Sequence, residues 1–94
     1  MHGEYKVPGG KLVVVDLDIS DARLTNVQLS GDFFLVPDDA LGWMAAALEG
    51  QPATIGEAEL AACVHTAAAD AELLGITPVG VAIAVRRAVD GSNP

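Results

Sequence analysis

An α+β fold is what this sequence predicts, with a small antiparallel β-meander followed by about three helices packed on one face. Three observations carry that expectation. Apolar residues recur with period two as far as Val36 and with a helical period beyond it. Strand-like segments come first and helix-like segments follow, which is the order of an α+β domain and not of an alternating parallel sheet. The 94 residues, 51% of them hydrophobic, with a mean hydropathy of +0.39, can bury one small core and show no repeat or linker that would divide them. The chain 1–94 therefore reads as a single domain with a short polar tail, DGSNP, from about residue 90.

The first strand is expected in KLVVVDLDI, where Val13, Val15, Leu17 and Ile19 face one side and Val14, Asp16 and Asp18 the other. SDAR supplies a polar turn, and a second strand runs through Leu29. Ser30 to Asp32 break the pattern, with Gly31 placed where a bulge or a close backbone approach is expected, and Phe33 to Val36 form a third short strand. Past Pro37, Leu41, Met44, Ala45 and Leu48 repeat with helical spacing up to Gly50. Thr54 to Glu57 have the spacing of a capping box, and Leu60, Val64, Ala67, Ala71 and Leu74 continue as a second helical stripe that ends at Gly75. Thr77 and Pro78 suit the N-cap and first position of a third helix. Val81, Ile83 and Val85 also alternate with alanines, so periodicity alone admits a strand there; helix is the reading adopted.

A net charge of −8, from 13 acidic residues against Lys6, Lys11, Arg23, Arg86 and Arg87, argues against nucleic acid as a partner. The longest apolar run, Ala40 to Leu48, is far short of the roughly 20 residues of a membrane span. A single cysteine and an N-terminus without an apolar signal core predict a reducing, cytoplasmic setting. The basic exception is YKVPGGKL, where Lys6 and Lys11 flank a Pro-Gly-Gly turn. Gly9 and Gly10 can take left-handed conformations and uncover their amides, so the loop either holds an anion or merely folds a hairpin.

No catalytic constellation emerges from the residues themselves. Gly10-Lys11 lacks the upstream glycine and the following hydroxyl of a P-loop. Cys63 and His65, two apart on a helix, point in different directions and cannot act as nucleophile and base. Together with His2 they offer too few ligands for a metal, and none is predicted. Asp16 and Asp18 read as a solvated strand face, and Trp43, Phe33 and Phe34 as core or as a docking patch.

The segments KVPGGKLVVVDLDI and LSGDFFLVPDDAL resemble the C-terminal, accessory domain of lipoate-protein ligases, in which a P-G-G-K-L turn opens a strand and an S-G-D-F-F segment precedes the first helix. The resemblance extends from about Gly3 to Gly50; beyond it, only the helical pattern and the Thr-Pro start agree. It implies a partner. In that family a large catalytic domain binds lipoate and MgATP, forms lipoyl-adenylate, and passes the lipoyl group to a lysine of an acceptor domain, such as that of a 2-oxoacid dehydrogenase or the glycine cleavage H protein. The small domain supports adenylation and is a separate chain in some organisms, the form this sequence resembles. It implies no cofactor bound by this chain alone and no catalytic residue within it. By the same resemblance, Lys6, Gly9, Gly10 and Lys11 form the loop facing ligand or partner and Gly31, Asp32 and Phe33 the second motif; Phe34 is expected to dock, because a small domain with a separate partner should present an apolar patch. The fold also resembles sulfur-acceptor and iron-sulfur scaffold domains, which need exposed reactive cysteines where this chain has only Cys63. A plain protein-interaction domain is the third reading.

Overall fold

The computed structural model describes residues 1–91, arranged as β1 (His2–Lys6), β2 (Leu12–Ser20), β3 (Arg23–Gly31), β4 (Phe34–Val36), α1 (Ala40–Leu48), α2 (Glu57–Ala67), β5 (Glu72–Leu74) and α3 (Pro78–Asp90). β1, β2 and β3 form an antiparallel meander in that order, and the three helices follow as the sequence predicts. α3 packs on β1 and β2, α1 packs on β3, and α2 rests on both helices. The core between these layers fully buries Leu24, Met44, Leu48, Leu60, Val81 and Val85.

β2 behaves as its alternation requires, with Val13, Val15 and Leu17 buried and Asp16 and Asp18 exposed. It turns into β3 through Asp21 and Ala22, whose φ angles of 53° and 61° are the left-handed pair that a two-residue hairpin between twisted strands demands. The remaining strand of the meander is not Phe33 to Val36. It is His2–Lys6, in register from His2 opposite Asp16 to Lys6 opposite Leu12. HGEYK shows no apolar alternation because Gly3 is selected for space: a Cβ there would lie 2.2 Å from the Ala84 carbonyl oxygen and 2.5 Å from the Ala88 amide of α3. Phe34–Val36 leaves the sheet and pairs with Glu72–Leu74 in a separate two-stranded ribbon.

Of the two expectations at Gly31, the close backbone approach is formed, against the Leu12 carbonyl, and the β-bulge lies elsewhere. Asp16 pairs with Gln28 and Asp18 with Thr25, so Leu17 faces both Asn26 and Val27. Asn26 takes φ 51°, a conformation that asparagine tolerates, and the displaced Val27 amide donates to the Glu49 carboxylate. The chain after α1 then runs along β3: Gly50 N–H donates to the Leu24 carbonyl (2.8 Å) and Leu24 N–H donates to that of Gln51 (2.9 Å).

α1 buries Ala40, Met44 and Leu48 as its stripe requires. α2 starts after Gly56 with no side-chain cap, so the Thr54–Glu57 capping box is not formed. The backbone ahead of α2 is held from outside: Arg86 Nη1 of α3 donates to the carbonyls of Ala53 (2.7 Å) and Ile55 (3.0 Å). α2 also stops at Ala67, before Ala71 and Leu74, because Glu72–Leu74 is drawn into the ribbon with β4. α3 confirms its start signal, since Thr77 Oγ1 accepts the Gly80 N–H at 3.0 Å with Pro78 in the first turn. Asp90 of the expected tail is the last residue of α3 and Gly91, at φ 67°, is its cap; residues 92–94 lie outside the described residues. Among the described residues no helix is long and apolar enough to cross a membrane.

Candidate functional site

The Pro-Gly-Gly turn is held by hydrogen bonds within itself and to the segment leading into α3. Pro8 and Gly9 occupy the two central positions, Gly9 at φ 72°, and the Gly10 amide closes the turn on the Val7 carbonyl at 2.8 Å. The Lys11 amide donates to the Gly75 carbonyl (2.7 Å), which docks the turn on the corner between β5 and α3. The amides of Gly10 and Lys11 are therefore committed to the fold, and the expected cradle of free backbone N–H groups does not form from them. What the turn offers outward is the Gly9 amide, which among the described residues has no partner, and its two flanking ammonium groups, on the exposed Lys6 and Lys11.

The second motif meets the first at the same place. Gly31 pairs with Val13 at φ 149°, and a Cβ on it would stand 2.1 Å from the Leu12 carbonyl oxygen. A Cβ on Gly75, at φ 96°, would stand 2.6 Å from Lys11 Cγ and 3.7 Å from Phe33 Cβ. Three segments far apart in sequence thus touch at one end of the sheet with glycines at the points of contact. Gly75 belongs to this junction although neither motif contains it; its only sequence signal is the helix-ending position. Asp32 is exposed, Phe33 is half-buried against the core, and Phe34 projects outward.

Phe34 is 72% exposed, and its neighbours on the outward side of the ribbon, Val36 and Leu74, are 54% and 45% exposed. Phe34 is therefore not core, and the same holds for Trp43, which is exposed on α1. Leu35 and Leu73 take the inward side. Beside the ribbon a groove of about 310 Å³ is floored by Leu29, Phe33, Leu35 and Leu41, with Asp38 at its rim. A second groove of about 410 Å³ between α1 and α2 is lined by small residues and half-buried Cys63, with no charged group. His65 is exposed on α2, and among the described residues no three His, Cys, Asp or Glu side chains gather as a metal site.

The cations divide by task. Arg23 donates to the Gly50 carbonyl (2.8 Å), Arg86 holds the segment before α2, and Arg87 donates to the Glu4 carbonyl (3.0 Å) while lying 5.0 Å over the Tyr5 ring. Among the described residues the ammonium groups of Lys6 and Lys11 have no hydrogen bond or ion pair. At the start of β1 the charges are paired: His2 Nε2 lies 2.6 Å from Glu4 Oε2 and Nδ1 lies 2.8 Å from Asp16 Oδ1. The Glu4 hydrogen bond first, and the Asp16 one second, raise the His2 pKa above its ordinary value. Two unpartnered ammonium groups beside an exposed apolar ribbon can bind an anionic group or an acidic partner; no nucleophile and base stand with them.

No family model and no curated protein matches the chain. A solved chain does: one from the archaeal lipoylation system of Thermoplasma acidophilum, comprising a bi-partite lipoate protein ligase and its E2 lipoyl domain. It superposes with a TM-score of 0.75 at 22% identity, over 92% of this chain and 93% of that one. The two share a fold. The likeness runs nearly end to end, through the helical half where the sequence motifs give out as well as through the meander.

Proposed function

We propose that this chain is the non-catalytic accessory subunit of a two-chain lipoate-protein ligase. It would act with a large catalytic subunit in the ATP-dependent activation of lipoate to lipoyl-adenylate, ahead of transfer to a lysine of a lipoyl-acceptor domain. The observation that carries this reading is the end-to-end likeness to a chain of a bi-partite ligase structure: coverage of 92% on one side and 93% on the other makes the two chains nearly equal in length. The meeting of both motifs at the end that carries the unpartnered lysines supports the same reading.

The chain's own residues suggest how it contributes. Lipoate and MgATP bind to the large subunit in this scheme, and the small chain supplies preorganised positive charge. With the Gly10 and Lys11 amides committed, that charge resides on the ammonium groups of Lys11 and Lys6, held by a turn that the Gly75 carbonyl fixes. Phe34, with Val36 and Leu74, presents an apolar surface that docking on the large subunit would cover.

Two half-reactions run with the reconstituted pair at saturating small chain test this. Lys11→Ala should leave the circular dichroism spectrum and melting temperature near wild type, because an exposed lysine adds little stability. It should slow lipoyl-adenylate formation by roughly ten- to a thousandfold while barely changing transfer from preformed lipoyl-adenylate. Pyrophosphate release by this chain alone, or equal slowing of both half-reactions, would remove the proposed role.

A further inference from the structure

The outer edge of β3 is sealed along part of its length and open along the rest. Met1 and Leu17 exchange both backbone hydrogen bonds, at 2.7 and 2.9 Å, so Leu17, Val15 and Val13 direct their backbone groups toward β1. By alternation Asp16 and Val14 face β3, where they pair with Gln28 and Ser30. The backbone groups of Val27, Leu29 and Gly31 must then point away from the sheet. Farther along, Leu24 is bonded to Gly50 and Gln51, and the Val27 amide to Glu49. Among the described residues, Leu29 and Gly31 have no partner on that side. The apolar groove of about 310 Å³ opens beside them, between β3, β4 and the start of α1, with the Asp38 carboxylate at its rim.

We infer that an extended segment of the large subunit adds to β3 at Leu29 and Gly31 as a further strand, sets an apolar side chain between Leu35 and Leu41, and places a lysine or arginine against Asp38. The partner's identity rests on the ligase reading above; the mode of attachment rests on the edge itself. The chain already uses this edge in the same way, since its own residues 50–52 pair with it at Leu24 and Arg23. An incoming strand would continue that row, with main-chain hydrogen bonds supplying affinity and the groove supplying selectivity. The sign of the partner's charge follows from the rim: Asp38 lines the groove, and the exposed Asp32 and Asp39 are chain neighbours of its lining residues, in a chain of net charge −8.

The test uses the isotope-labelled chain and the purified large ligase subunit from the same organism. In the free chain the amides of Leu29 and Gly31 should exchange rapidly, and in the complex at least about tenfold more slowly. Asp38→Lys, with its fold checked by circular dichroism, should weaken the complex about tenfold, mainly through slower association. A complex that leaves both amides unprotected and tolerates Asp38→Lys would overturn the strand-addition inference while sparing the accessory role. Failure to form any complex, together with no stimulation of adenylation, would overturn both. Protection that grows with the concentration of the labelled chain alone would assign the edge to a second copy and overturn the inference.

Discussion

Where β1 begins, polar side chains answer one another: His2 bridges Glu4 and Asp16, and Asn26 Nδ2 donates to Asp18 at 3.0 Å. Where β1 stops, the backbone is locked by glycine contacts while the side chains above it, Lys6, Lys11 and Phe34, are left without partners. The difference separates two kinds of order. The first end is settled within the chain. The second is held in its backbone by contacts within the chain and left without partners in its side chains.

The sharpest way to break the comparison is Gly31→Ala. A methyl group at φ 149° would meet the Leu12 carbonyl oxygen at 2.1 Å, backbone against backbone, with no flexible side chain to give way. The expected cost is about 3 kcal/mol or more, read as a fall in the unfolding midpoint. A wild-type midpoint would mean that the junction is looser than its contacts require. The next effect contrasts an engaged cation with an unengaged one. Arg86→Ala strands the carbonyls of Ala53 and Ile55 and should cost about 2 kcal/mol, whereas Lys6→Ala should stay within about 0.5 kcal/mol. Equal losses in urea titration would contradict the division of the cations.

The smallest effect belongs to the settled end. The folded His2 pKa is raised above 6.5 by Glu4 and then Asp16, so the stabilisation is fully present below the unfolded value and is lost as pH rises through the folded one. His2→Gln should therefore lower the melting temperature slightly at about pH 6 and hardly at all at about pH 9. The same gap at both pH values would show that the histidine acts through its shape and not its charge.

Legibility in the sequence followed how local the cause was. β2, α1 and the Thr77–Pro78 start of α3 could be read because alternation, stripe and cap each lie within a few neighbouring residues. β1 could not, since the reason for Gly3 is the backbone of α3 at Ala84 and Ala88, near the other end of the chain. β5 was hidden inside a helical stripe because its three residues are strand only through their pairing with Phe34–Val36. The apparent capping box failed because α2 begins after Gly56, two residues past Thr54, so Thr54 and Glu57 do not stand at its N-cap and third positions. At the candidate site both motifs stood out by composition, but Gly75, the position that joins them, carried no signal beyond marking a helix end.

The packing of β1 against α3 also fixes an order of events during synthesis. β1 finds its cover in α3, made about seventy residues later, with Gly3 seated on Ala84 and Ala88 and Arg87 reaching the Glu4 carbonyl. Until α3 leaves the ribosome, the faces of β1 and β2 destined for it are bare, and contacts between chain ends are the slowest to form. The core therefore closes only once α3 is made, and a nascent chain stalled before Val81 would expose an apolar sheet to whatever meets it first.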